Sequence, residues 1–296
     1  MRPPSGPYAR RSRIDVSVPA STRVYDVLLG EQHYEADRDL VDELLRVAPW
    51  IQQAARDNRA HGLRAAEYLA RAGITQFVDL GAGIPRGSRD GDVHHVVRAV
   101  LPTARVVSVD ADAMAHAHRR TQNEDLRDAA IEYEIADMAG LLAHPALQSL
   151  DRSRPIAVLA HEVLSEIPDT DTAVRLMAEL RAWLPPGSAI SLTHAAGDAR
   201  PADPVRAAAI ANLIQLYREA GISFHPRTRY EVAALAGPWP LADPGVDFVG
   251  RWHPRRLGSL APLDAAHALI ARSPLSQGPT EGPGDDAGLH SEQEDR

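Results

Sequence analysis

The sequence predicts an α/β fold: a mainly parallel, doubly wound sheet preceded by an N-terminal helical appendage. Three observations carry this expectation. From residue 76 onward, short β-favouring runs alternate with segments of helical periodicity. The intervening crossovers are long enough for helices, which makes the strands parallel and covers the sheet on both faces. The run Gln76-Phe77-Val78-Asp79-Leu80 leads directly into Gly81-Ala82-Gly83. Such sheets end their first strand this way against a nucleotide-like ligand, because glycine lets the backbone approach where a Cβ would collide.

Composition narrows the chemistry. With 296 residues, 44% of them hydrophobic, the chain can build one large domain with appendages or two small ones. Cysteine is absent, which removes disulfides, thiolate metal sites and cysteine nucleophiles. All 32 basic residues are Arg, so Schiff-base chemistry and a Walker-type phosphate loop, which need Lys, are excluded. Most of the net charge of −8 lies between Glu281 and Arg296. Neither end shows the apolar region of a signal peptide, and no run approaches the ~20 apolar residues of a membrane span. The expectation is a soluble, cytoplasmic protein with no membrane partner. Arg is scattered and the overall balance acidic, which argues against a nucleic-acid partner.

Taken in order, residues 1–20 are rich in Pro, Ser and Arg without periodicity, the signature of disorder. Val24, Tyr25, Val27, Leu28 and Leu29 form an apolar patch ended by Gly30. A helix follows Asp37, with Leu40, Leu44 and Val47 on one side. A second begins near Pro49, runs through Ile51, Ala55, Leu63, Ala66 and Leu69, and stops at Gly73. Residues 21–74 thus read as a helical cap. Strand one is Gln76–Leu80; a polar loop, Arg86–Asp92, leads to a helix over Val93–Val100. Strand two is Arg105–Asp110, followed by a helix through His118. Strand three is Ile131–Ala136 with Asp137 at its end, and strand four is Ile156–Ala160, entering His161-Glu162-Val163-Leu164. A helix over Thr172–Leu184 and the turn Pro185-Pro186-Gly187 lead to strand five, Ala189–His194. Helices over Pro204–Ala220 and Tyr230–Ala236 and a closing strand near Val246–Trp252 complete a sheet domain over residues 75–257. The segment 258–296 reads as a C-terminal extension ending in a disordered acidic tail.

Ligands of such sheets bind beyond the carboxyl ends of the strands. Asp79, Asp110 and Asp137 occupy those ends in succession. An ionised Asp110 is suited to a ribose diol, and Asp137 to the exocyclic amine of an adenine. The plain alternative is that each caps a following helix. A nicotinamide dinucleotide and S-adenosylmethionine both fit the ribose acid. The dinucleotide fingerprint needs a third glycine, where Arg86 stands after Pro85. Asp79 beside a pyrophosphate would add unfavourable negative charge, whereas beside an ammonium and a sulfonium it is favourable. Charge therefore selects S-adenosyl-L-methionine as cofactor.

Several stretches carry a wider resemblance: Arg23-Val24-Tyr25-Asp26-Val27-Leu28-Leu29-Gly30, Ala36-Asp37-Arg38, Asn58-Arg59, Gln76 to Pro85, Val93-His94, Ala104 to Asp110, Pro186-Gly187-Ser188 and Thr193-His194. In these, over about residues 22–254, the chain resembles an actinobacterial family of S-adenosylmethionine-dependent methyltransferases long catalogued as a domain of unknown function. The resemblance implies a Rossmann-like class I methyltransferase fold. It implies that Asp79, Gly81 and Gly83, with Ala82, hold the methionine end, Asp110 and Ala111 the ribose, and Asp137 and Met138 the adenine. It further implies that the helical cap closes over the cofactor and brings Tyr25 and Arg59 to it. The chain departs from the family at Glu31, where a second glycine is usual. It departs again at Ala111-Asp112-Ala113, behind Asp137, and at His161-Glu162-Val163-Leu164-Ser165, which makes it a divergent member.

Ser165 breaks the His-Glu-x-x-His zinc pattern, so no metal is expected. His161 and Glu162 follow strand four, where a methyl acceptor would sit, and His194 ends strand five. These three are the candidate bases for an oxygen or nitrogen acceptor, and packing or capping is the plain reading of each. His94, His95, His116 and His118 read as surface or packing residues, Trp239 and Trp252 as core. The function expected is methyl transfer to a small-molecule acceptor. A non-catalytic cofactor-binding module and an NAD(P)-dependent oxidoreductase are the competing readings, and oligomeric state is not legible.

Overall fold

The computed structural model describes residues 14–86, 91–122, 127–198, 203–252 and 264–275. Three helices come first: α1 (Ser21–Leu28), α2 (Glu35–Val47) and α3 (Ile51–Arg71). The strands β1 (Gln76–Leu80), β2 (Arg105–Asp110), β3 (Ala129–Glu132), β4 (Ala157–His161), β5 (Ala189–Ala195), β6 (Asp247–Phe248) and β7 (Ala266–Arg272) form one sheet. Its order is β3-β2-β1-β4-β5-β7-β6. The pairings among β1 to β5 are parallel; β7 runs antiparallel to β5, and β6 antiparallel to β7. The connecting helices are α4 (Val93–Val100), α5 (Ala113–Gln122), α6 (Met138–Leu142), α7 (Pro145–Gln148), α8 (Thr170–Trp183), α9 (Pro204–Glu219) and α10 (Arg229–Ala236). A 3₁₀ turn, Val163–Glu166, follows β4.

Burial explains the strand composition. Every residue of β1 and β5 is buried, as in a parallel sheet covered on both faces. On one face Val78, Leu80, Val107 and Val158 pack with α6, α8 and α10. On the other, Phe77, Val106 and Leu159 pack against Ala65, Ala66, Leu69 and Ala70 of α3. A third cluster joins α1, α2 and the start of α3 to Leu213 and Tyr217 of α9. The cap expected over residues 21–74 is therefore divided in its roles: α1 and α2 sit on the third cluster, while the rest of α3 is a layer of the sheet sandwich.

Strand order reverses between β1 and β4, which opens the crevice in which open α/β sheets bind ligands. In the register, Leu80 lies beside Val109 and Ala160, so Gly81, Ala111 and Glu162 emerge at one edge.

The apolar patch after Arg23 lies on a helix, α1. Three expectations are corrected. β3 ends at Glu132, so Asp137 does not end a strand. The closing strand near Val246–Trp252 is only the two-residue β6. The long strand beside β5 is β7, within the segment read as an extension; its Ala-rich run, Ala-His-Ala-Leu-Ile-Ala-Arg, carries a weak β signal because Ala packs little surface on a pleated sheet. The N-terminal 13 residues, residues 87–90 of the polar loop and the acidic tail from 276 lie outside the described residues.

The cap is tied down by charge. Arg23 Nε donates to Asp37 Oδ2 at 2.8 Å, with both side chains buried, and its Nη2 donates to the carbonyls of Asp15 and Val18. The N–H of Ala20 takes the other Asp37 oxygen at 3.1 Å. Removing one partner leaves a buried, uncompensated guanidinium, which costs about 3–5 kcal/mol. Asp37→Ala is accordingly expected to lower the stability measured by urea unfolding by about 3 kcal/mol, and Arg38→Ala, at the exposed neighbour, by less than about 0.5 kcal/mol.

Candidate active site

A cavity of about 350 Å³ opens at the switch point, within the range of small-molecule sites. Its floor is the loop after β1. Gly81 and Gly83 both have φ +66°, a conformation that favours glycine. At Gly81 a Cβ would also lie 2.7 Å from the Val163 side chain. The loop's backbone groups are held from several sides. The N–H of Gly83 donates to Asp110 Oδ2 at 2.7 Å, and that of Ala82 to the Val109 carbonyl at 3.0 Å. Arg119 of α5 donates to the carbonyls of both Gly83 and Ala82. Nothing in the sequence marks Arg119 apart from its neighbour Arg120; its role appears only when α5 packs back across β2.

Asp79 and Asp110 both line the cavity and are each 8% exposed. The Asp79 carboxylate accepts no hydrogen bond among the described residues. Burial pushes it up to about 6, against the opposing pull of the Arg119 charge. Asp110 is raised too, chiefly by burial, although Gly83 and Asp112 N–H groups bond its two oxygens. Each oxygen keeps a lone pair for a ligand hydroxyl. Asp112 accepts the N–H groups of Met114 and Ala115, so the divergent Ala111-Asp112-Ala113 still starts a helix.

The roof comes from the helical cap. Tyr25 and Arg59 both stand in the wall. Tyr25 Oη donates to the Ala55 carbonyl at 3.1 Å and accepts from Asn58 Nδ2 at 2.9 Å; Asn58 Oδ1 accepts from Thr193 Oγ1 at 2.6 Å. Burial pushes the Tyr25 phenol up to about 12, so it stays neutral. Arg59 donates to Asp92 Oδ1 and to the Gly91 carbonyl. Arg86, behind the glycine loop, reaches Asp26 of α1 at 2.9 Å and Glu31 at 3.1 Å. Glu31, where the family has glycine, thus helps latch α1 to the loop.

Among the described residues the wall carries seven carboxylates against the single guanidinium of Arg59. Such a lining favours a cation and opposes a diphosphate. Asp92, His94 and His95 place possible ligand atoms within 4.8 Å of one another. The Asp92 oxygens are already taken by Arg59 and by the N–H of Arg86.

The three candidate bases separate. His161 lines the cavity, but its Nε2 is 2.9 Å from Ser191 Oγ and its ring lies against Gly62, where a Cβ would meet Nδ1 at 2.8 Å. Burial lowers it to about 4, which makes it a weak base. His194 is a correction: it is fully buried away from the cavity, and its Nε2 accepts from Arg227 Nη1 at 2.7 Å. Arg227 also donates to the carbonyls of Leu164 and Ile167, so His194 belongs to a structural clasp. Glu162 takes the left-handed φ of 61°, uncommon for a non-glycine residue and a mark of functional sites. Its Oε2 accepts from the Ala195 N–H at 3.0 Å, and burial pushes it up to about 7.

Asp137 and Met138 are corrected as well. Asp137 faces solvent and caps α6, accepting from the Gly140 N–H at 3.0 Å and Tyr133 Oη at 2.7 Å; Met138 is buried in the core. Tyr133, Glu134 and Ile135 line that end of the cavity instead. Ala82 and Ala111 stand in the wall.

The family model described as S-adenosyl methyltransferase matches residues 7–273. The chain belongs to the S-adenosyl methyltransferase family. Its fold is that of the Rossmann-like class I methyltransferases, and its cofactor is S-adenosyl-L-methionine. A putative methyltransferase from Thermobifida fusca is 32% identical, with a TM-score of 0.79 over 88% of this chain and 97% of that one. A DUF574 family protein from Streptomyces avermitilis is 29% identical, with a TM-score of 0.81 over 88% of this chain and all of that one. No curated protein matches. Among the described residues no helix is long and apolar enough to cross a membrane.

The buried acids leave a signature on stability. Because burial raises Asp79 and Glu162 in the folded state, their favourable contribution is complete below the unfolded values near 4. It is lost as pH rises through about 6 for Asp79 and about 7 for Glu162. In the ligand-free protein, Asp79→Asn is expected to gain about 2 kcal/mol over the natural chain at pH 8 and nothing near pH 4. Glu162→Gln is expected to change in the same direction, with the gain appearing between about pH 5 and 8. Thermal unfolding across this pH range checks both.

Proposed function

We propose that this chain transfers the methyl group of S-adenosyl-L-methionine to a small-molecule acceptor. The observation that carries the reading is the acid-lined cavity at the switch point, with the Asp79 carboxylate hydrogen-bonded to none of the described residues. When bound, S-adenosylmethionine supplies a methyl group activated by a positively charged sulfur. The glycine loop and Asp79 bind its amino-acid end, the carboxylate facing the ammonium. Asp110 accepts the ribose hydroxyls. Tyr133, Glu134 and Ile135 bound the adenine end, the place the resemblance gave to Asp137. Tyr25 and Arg59 close the roof and exclude water, so catalysis comes mainly from positioning.

A dinucleotide would bring a diphosphate against the same carboxylates, which disfavours oxidoreductase chemistry. Calorimetry tests the assignment. The natural chain is expected to bind S-adenosylmethionine and S-adenosylhomocysteine but not NAD. Affinity should fall as pH drops below about 6, where Asp79 takes up a proton. Asp79→Asn is expected to weaken binding at pH 8 by about tenfold or more, the loss of one charge-assisted hydrogen bond. Tight NAD binding, or an affinity indifferent to Asp79, rejects the assignment.

A further inference from the structure

A second cavity, of about 90 Å³, lies behind the first, and the two share Tyr25, Asn58 and Glu162. Its described walls are otherwise apolar or aromatic, with Trp50, Leu213 and Phe224 among them, and Glu162 is the one charged group among the described residues that line it. Glu162 therefore stands at the junction, turned there by its left-handed backbone. One of its oxygens is engaged by the Ala195 N–H; the other, Oε1, accepts no hydrogen bond among the described residues. A second polar group in the lining is Tyr217 on α9. Its side chain is 8% exposed and its ring packs on Phe224 at 4.7 Å, yet its hydroxyl has no hydrogen-bond partner among the described residues. Glu162 Oε1 and the Tyr217 hydroxyl thus keep accessible surface at the cavity, where a ligand can complete their bonding.

We propose that this second cavity seats the methyl acceptor, an uncharged molecule with an apolar body about one ring in size and a phenol-type hydroxyl, whose proton Glu162 accepts. The inference rests on the methyl-transfer reading above and names its acceptor. Size limits the body: an engineered cavity of about 150 Å³ holds benzene, and this one is smaller but open to the junction. Charge limits the rest. An acceptor carboxylate would meet Glu162 with no cation among the described lining residues to offset it. An ammonium would pair with Glu162 and, while protonated, has no lone pair to methylate. On the side of the second cavity the described residues around Glu162 are uncharged: Tyr25 of α1, Asn58 of α3, the Ala195 N–H of β5 and Tyr217 of α9; the neutral His161 of β4 stands on the side of the first. Burial among them strengthens the carboxylate as a base. In the transfer, the acceptor oxygen gives its proton to Glu162 Oε1 and its lone pair forms the new bond to the methyl carbon. The methyl–sulfur bonding pair stays on sulfur, and Glu162 later releases the proton to solvent.

The test uses the full chain saturated with S-adenosylhomocysteine and four probes: 4-methylphenol, toluene, benzoate and benzylammonium. Ligand-observed NMR is expected to show 4-methylphenol binding at least tenfold more tightly than benzoate or benzylammonium, and more tightly than toluene. Leu213→Trp, which fills the second cavity, should abolish that binding with S-adenosylhomocysteine affinity unchanged. Tyr217→Phe, a change of one atom, should weaken 4-methylphenol severalfold. Glu162→Gln should keep 4-methylphenol binding within about threefold while lowering methyl transfer to it at least a hundredfold, with the pH dependence of the remaining rate lost. The proposal is overturned if 4-methylphenol does not bind, if benzoate or benzylammonium binds equally well, or if Tyr217→Phe and Leu213→Trp have no effect. It is also overturned if Glu162→Gln transfers methyl normally. If S-adenosylhomocysteine itself fails to bind the natural chain, the methyl-transfer reading falls, and this inference with it.

Discussion

The site depends on one constraint: a backbone loop with two left-handed residues must have its polar groups satisfied from outside. A run through Gly81 and Gly83 cannot bond itself as a helix or strand would. Asp110 and the Val109 carbonyl take its N–H groups, and Arg119 binds its carbonyls. The result is a fixed floor at the point where the sheet reverses. Asp110 therefore has two tasks, since the oxygens that tie the loop also retain lone pairs for a ligand.

The roof is coupled to this floor by polar contacts. Arg86 joins the end of the glycine loop to Asp26 and Glu31, and His33 stands 2.7 Å from the other Asp26 oxygen. Tyr25, Asn58 and Thr193 form a chain of hydrogen bonds from α1 to β5, and Thr193 Oγ1 accepts from the N–H of Glu162 at 3.1 Å. The backbone that carries Glu162 is thus held through the same side chains that line the cavity. A strained residue persists where its surroundings over-determine it, and here two elements of the cap and one strand do so.

The same site opposes stability. Asp79, Asp110 and Glu162 are all raised by burial, so at neutral pH the folded protein holds carboxylates in surroundings that disfavour their charge. Paired acids elsewhere, such as Asp37 with Arg23, show that the fold neutralises charge where it has no ligand to meet. An unneutralised acidic cavity suits a cationic cofactor, whose binding recovers what burial of the acids costs.

The alternation of strand and helix, the glycine turn, Asp79 and Asp110 were all legible in the chain, because each is local: a period, a turn residue or an acid at a strand end. Val163 over Gly81, Arg119 across the loop and Tyr217 facing Glu162 were not legible, because each joins residues far apart in sequence. The misreadings have the same origin. Asp137 looked like a third strand-end acid, yet β3 stops early and the carboxylate caps α6; His194 ends a strand, yet the buried Arg227 claims its ring. β7 was missed because its small residues are strand-like only between β5 and β6. Sequence by itself determined the fold class and the charge of the cofactor crevice, since periodicity and residue chemistry are properties of short stretches. Tertiary structure decided which acids face the cavity and which carboxylate stands at its inner end, since those follow from packing between distant segments.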